Sequence, residues 1–241
     1  MRPHLAKSRK TKRKSSGSHR MRVEMDEHGM ISHARVRHAR STRIERGRRT
    51  GAITGIVVHQ TDADTSASSL NSYRQPGANG AHFLIDKDGT IYQTAAIYQR
   101  TNHVGPLKAR CLAIQKCTLA DFPSRAGPTE MHRIEMLKTP FNRYPSNMEA
   151  IGIEMVGRAR MPTGFKPSRK EVDWSIEKIR GEHSVFDAPT AAQNQSLAWL
   201  VNVLVDSIKI SPTEVFRHPV VSSKNRTEAQ GANWKLPEPT P

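Results

Sequence analysis

Gly55-Ile56-Val57-Val58-His59-Gln60-Thr61 is the stretch on which the reading of this chain turns. Three β-branched residues run without a polar break into a histidine, and polar residues follow. So apolar a run fits a strand buried on both faces of a sheet. In open α/β sheets ligands sit just beyond the carboxyl ends of such strands. His59 therefore stands at a strand tip, fixed by a rigid scaffold and still open to solvent. Two uses fit that position: a metal ligand, or a ring that closes the strand by bonding to nearby backbone.

Outward from this strand, which spans about residues 52–58, the pattern is mixed. Residues 66–73 suit a short helix with a polar start. Pro76, Gly77, Asn79 and Gly80 mark a loop. Residues 81–93 read as a hairpin, two apolar runs joined by a turn ending in Asp88-Gly89. Residues 106–148 carry both cysteines, five prolines and scattered charge, and read as an insertion with some helix over the domain's edge. Residues 150–157 form another apolar strand, broken by the single acid Glu154. A helix is expected around 171–180. The clearest helix runs from 189 to 208, where Leu197, Leu200, Val201, Leu204, Val205 and Ile208 recur at spacings of three and four. A short strand, 214–217, ends at His218. The order predicts an α/β fold: a single mixed β-sheet flanked by helices.

The formal net charge is +16 over 241 residues, and it is unevenly spread. Residues 1–50 hold 16 Lys and Arg against Glu24, Asp26, Glu27 and Glu45, which leaves only +4 for the rest. Residues 1–20 cannot bury enough apolar surface to offset the entropy of ordering, so a disordered basic tail is expected. Such a tail suits contact with an anionic polymer or surface. No aromatic residue occurs in 1–50, which removes the stacking platform of single-strand binders, and no specific nucleic-acid partner is expected. Residues 21–50 suit a short strand or an arm lying on the domain. Residues 1–50 together are expected to be a basic, mostly disordered N-terminal tail, with the folded domain over 51–235 and 236–241 frayed.

Cys111 and Cys117 are too few for a disulfide framework or a zinc knuckle and read as free, non-catalytic thiols. No segment approaches the ~20 apolar residues of a membrane span. The basic N-terminus has no apolar core behind it, so no secretory signal is expected. A monomer made in soluble form follows, either cytoplasmic or reaching the cell wall through lysis or dedicated export.

The chemistry-bearing residues cluster at strand ends: His59, Glu154, His218 and the loop Lys224-Asn225-Arg226-Thr227-Glu228. Two histidines and a carboxylate with an open fourth position form a usual hydrolytic zinc set. His59, His218 and Glu228 supply those ligands in this reading. Glu154 lies in a strand otherwise fit for the core, where an unpartnered carboxylate is costly. It reads either as a general base of raised pKa or as one half of a structural ion pair. Arg226 suits an oxyanion.

Residues 51–232 resemble the zinc-dependent N-acetylmuramoyl-L-alanine amidases of the type 2 family, which share a fold with peptidoglycan recognition proteins. The matching blocks are residues 56–61, residues 82–93, Asn102-His103-Val104-Gly105, Ile151-Gly152-Ile153-Glu154, and Arg217-His218 followed by Arg226-Thr227-Glu228. The resemblance implies hydrolysis of the amide between the lactyl group of N-acetylmuramic acid and L-alanine, in peptidoglycan or muropeptides. It puts Zn2+ on His59 and His218, the catalytic carboxylate at Glu154, an assisting cation at Arg226, and substrate contacts at Asn102 and His103. The chain departs from the family in three places. The third ligand is Glu228 where Asp or Cys is usual, Ala229-Gln230 replaces Pro-Gly, and Ala81 stands where some members carry a catalytic tyrosine. A catalytically inactive peptidoglycan-binding domain is the competing reading.

Overall fold

A computed structural model describes residues 23–235 of the chain. The tail expected over 1–20 and the frayed end at 236–241 lie outside the described residues. The sheet has six strands: β1 (Val36–His38), β2 (Gly55–Gln60), β3 (Phe83–Ile85), β4 (Ile91–Gln93), β5 (Ala150–Met155) and β6 (Val215–Arg217). Their order is β6-β2-β5-β3-β4-β1. Strands β6, β2, β5 and β3 run parallel, β4 pairs antiparallel with β3, and β1 runs parallel to β4. The hairpin expected over 81–93 is β3–β4. Its turn closes through the Asp86 carbonyl, which accepts from Gly89 N–H, and Gly89 takes φ +87°.

Period-2 alternation splits this sheet into two faces. Ile56 and Val58 of β2, Phe83 and Ile85 of β3, and Ile151, Ile153 and Met155 of β5 pack with helix residues Leu197, Leu200, Val201 and Leu204. The helix is Ala191–Ile208, here α4, after α1 (Ser66–Ser72), α2 (Pro128–Met136) and α3 (Ile176–His183). Each buried Leu or Val in that layer contributes roughly 1.5–3 kcal/mol. A capping box between Thr190 and Gln193 starts α4. Gln193 Nε2 also donates to the Ile85 and Val156 carbonyls, which pins the helix to the sheet. Val57 faces the other way and packs with Val104, Leu107, Tyr144 and Val221.

Three features differ from the sequence reading. Residues 23–50 are not part of a mostly disordered tail but form an arm lying on the domain. β1 forms the edge of the sheet, Ile31 and Ile44 are fully buried, and Glu45–Arg48 pairs with Gln99–Thr101. Ordered structure therefore begins well before Gly51. The helix expected at 171–180 is α3, shifted because Ser175 caps it by accepting from Lys178 N–H. Cys111 and Cys117 are not free thiols but form a disulfide. The helical turn Arg110–Ala113 and the bond from Lys116 N–H to the Cys111 carbonyl fold the chain back, leaving the two Cα atoms 4.8 Å apart. Among the described residues no helix is long and apolar enough to cross a membrane.

Candidate metal centre

The face that carries Val57 carries the site. In register, Val57 pairs with Gly152 and, two residues on, His59 pairs with Glu154. Both therefore project from the side opposite α4, at the carboxyl ends of neighbouring parallel strands. β6 brings the third member. Phe216 shares the Val57 face, and two residues later His218 opens the one-turn helix α5 (His218–Val221), in which Pro219 fits the first turn. The 222–230 loop then returns Glu228 to the same point.

The ligand atoms converge. His59 Nδ1 and His218 Nδ1 lie 2.9 Å apart, Glu228 Oε1 is 2.9 Å from His218 Nδ1 and 3.5 Å from His59 Nδ1. All three residues are buried. Tetrahedral zinc with bonds near 2.0–2.1 Å holds its ligand atoms about 3.3 Å apart, so this triangle has the size zinc requires. The donor set of two imidazoles and one carboxylate matches as well, and these residues fit the ion. His218 Nε2 is buried without a hydrogen-bond partner.

Burial dominates the electrostatics here. It pushes His59 down to about 4, with the neighbouring His218 acting in the same sense. The ring is therefore neutral and able to ligate at neutral pH. Burial alone would raise Glu228, but its close contacts with His218 and His59 outweigh it and hold the carboxyl at about 2. Glu154 is raised to about 8, first by burial and then by the charge of Glu228, with Lys224 opposing. Glu154 Oε2 is buried with no hydrogen-bond partner. An orphaned oxygen is not what a structural ion pair leaves behind.

The loop that carries Glu228 is anchored on β2. Ala229 takes φ +55°, and its N–H donates to Gln60 Oε1 at 2.8 Å. A proline at this position has neither that φ nor an N–H. Ala229 thus permits a loop path, anchored on the end of β2, that the usual Pro-Gly forbids. The sequence showed the departure but gave no sign that Gln60 holds the loop.

A cleft of about 730 Å³ opens over the site, lined by His59, Glu154, His218 and Glu228 together with Asn79, Asn102, His103, Arg180, Lys224 and Asn225. Arg226 is exposed on the loop and is not part of that lining, whereas Lys224, two residues earlier, is. Of the residues read from sequence, His59, His218, Glu228, Glu154, Asn102 and His103 come together and Arg226 does not.

A buried His-His-Glu triangle at the strand tips of a mixed α/β sheet, with an unpaired carboxylate beside it, defines a candidate divalent-metal hydrolase centre. The chain belongs to the N-acetylmuramoyl-L-alanine amidase family, whose sequence model matches residues 49–232. Among solved structures, an AmpD selenomethionine derivative is similar at 18% identity, covering 83% of this chain and 88% of that one, with TM-score 0.46. The endolysin N-acetylmuramoyl-L-alanine amidase LysCS of Clostridium intestinale is similar at 16% identity, over 78% of this chain and 84% of that one, with TM-score 0.37. The Drosophila peptidoglycan recognition protein SA is similar at 13% identity, over 85% and 96%, with TM-score 0.44. A search of curated protein sequences finds no match.

Proposed function

We propose that this protein is a zinc-dependent amidase that cleaves the bond between N-acetylmuramic acid and L-alanine in peptidoglycan or its fragments. The observation that carries the reading is the convergence of His59, His218 and Glu228 beside the unpaired oxygen of Glu154. His59, His218 and Glu228 would hold the ion. When bound, zinc supplies a water of pKa lowered toward ~7 and polarises the scissile carbonyl.

Glu154 accepts a proton at its free Oε2 and later gives one to the departing amine. Its apolar surroundings keep that proton affinity high enough for the task. Lys224 lines the cleft and faces the negative charge that grows on the carbonyl oxygen, a role the sequence reading gave to Arg226. Asn79, Asn102 and Asn225 offer amide groups of the kind that pair with sugar hydroxyls and peptide groups. The volume of the cleft lies within the range of small-ligand sites.

The test is mass spectrometry of purified sacculi and of soluble muropeptides after incubation with the protein and zinc. Free stem peptides beginning with L-alanine are the expected product, absent with Glu154→Gln. Stoichiometric zinc binding with no cleavage of either substrate would favour the inactive wall-binding reading instead.

A further inference from the structure

The surroundings of His103 give it a task other than substrate contact. Its ring stands edge-on to that of His59 at 83°, and His59 Nε2 lies 2.9 Å from His103 Nδ1. Two imidazole nitrogens at that distance share one proton. The far side of His103 settles which ring owns it. His103 Nε2 faces the Ala150 carbonyl at 3.4 Å, and a carbonyl only accepts. The hydrogen of neutral His103 therefore sits on Nε2, and its Nδ1 is bare. The shared proton belongs to His59 Nε2. Neutral His59 carries no second hydrogen, so its Nδ1, the atom in the ligand triangle, presents a lone pair.

We propose that His103 is a positioning residue of the metal centre: by accepting from His59 Nε2–H it fixes the tautomer and ring plane that aim His59 Nδ1 at a divalent cation. The inference rests on the metal reading above. A second observation supports it independently. A Cβ on Gly152 would come within 2.8 Å of His103 Cγ and Nδ1. The strand thus lacks a side chain where the His103 ring approaches its backbone. The loop is clamped to match. Asn147 Oδ1 accepts from the backbone N–H groups of His103 and Val104 at 2.9 and 2.8 Å, and Asn147 Nδ2 donates to the Val104 carbonyl. Outer partners of metal histidines orient the ligand and set its tautomer, and removing one typically costs 10–100-fold in metal affinity.

The test uses the full chain with 15N-labelled histidine. In the metal-free wild type, nitrogen shifts should show His59 as the Nε2–H tautomer. In His103→Ala it should become a mixture of tautomers, and zinc affinity, measured by chelator competition, should fall about 10–100-fold. His103→Asn, whose Oδ1 also accepts, should recover part of both. Gly152→Ala should reproduce the His103→Ala phenotype, and the double variant should be no worse than His103→Ala alone. The inference is overturned if His103→Ala or His103→Asn leaves the His59 tautomer and zinc affinity unchanged while raising KM, the pattern of a substrate contact. Because the tautomer is read without metal, it judges His103 even if the wild type takes up no zinc, a result that would instead strike the amidase reading.

Discussion

At the carboxyl end of the sheet the candidate metal ligands are buried and held by neighbours: His59 by His103, Glu228 by His218, and the Glu228 loop by Gln60. In the 106–148 segment the pattern reverses. Leu112, Ile114, Phe141 and Leu137 are largely exposed and Leu119 is 87% exposed. Order there comes from a small buried cluster of Ala109, Cys111 and Met131, from a disulfide and from ion pairs such as Lys138 with Asp121 and Glu135. This segment is tied to the residues that lead into β6 and β5, by Arg110 gripping Glu214 in a bidentate pair and by Arg143 gripping Glu149. The candidate site lies where alternation and register fix side chains in space, and most of the 106–148 segment lies away from that frame, touching the sheet through Leu107 and Tyr144. The two regions should therefore fail in different ways.

The largest effect is expected at the sheet end. Glu154→Gln should lower kcat by roughly 10²–10⁴-fold while zinc content stays at the wild-type level; near-wild-type turnover would remove Glu154 as the base. Lys224→Ala should cost roughly 10²-fold in kcat and Arg226→Ala little, because only Lys224 lines the cleft. Steady-state rates for the pair of variants decide between the two cations.

The pH dependence of stability sharpens the contrast. The carboxyl of Glu154 is raised from 4.5 to about 8, so the folded state holds a proton that the unfolded chain has released. Its contribution is complete below pH 4.5 and is lost as pH rises to about 8. With chelator present, the urea midpoint of the wild type should fall over that window, and that of Glu154→Gln should fall less. His59 acts in the opposite sense. Its depressed value near 4 makes the metal-free protein lose stability as pH drops from 6.5 toward 4.

At the seam between the two regions, Arg143→Ala leaves Glu149 buried and unpaired and should cost about 3–5 kcal/mol by chemical denaturation. The smallest effect belongs to the insertion itself. Replacing both Cys111 and Cys117 by Ser should cost about 2 kcal/mol, as expected for so short a loop, without changing zinc content or kcat. A loss of metal in that variant would show that the regions are coupled after all.

The sheet end was legible in the sequence because its signals are local and periodic. The run Ile56-Val57-Val58-His59 and the run Ile151-Gly152-Ile153-Glu154 each announce a buried strand with one polar residue out of place, and the family resemblance orders them. The disulfide was not legible, since two cysteines six apart say nothing about a chain that turns back between them. Arg226 was assigned by its place in a motif, but a loop of this length aims side chains by φ/ψ values that spacing does not encode. Nor was the arm at 23–50 clear, because its short polar strands gain their order from the sheet they join rather than from their own composition.

The claim on which the rest depends is that His59, His218 and Glu228 share one ion. Elemental analysis of zinc after exhaustive dialysis, run side by side on wild type, His218→Ala and Glu154→Gln, tests it most directly. One zinc per chain is expected in wild type and in Glu154→Gln, and close to none in His218→Ala. A zinc-free wild type, or an undiminished zinc content in His218→Ala, would contradict it.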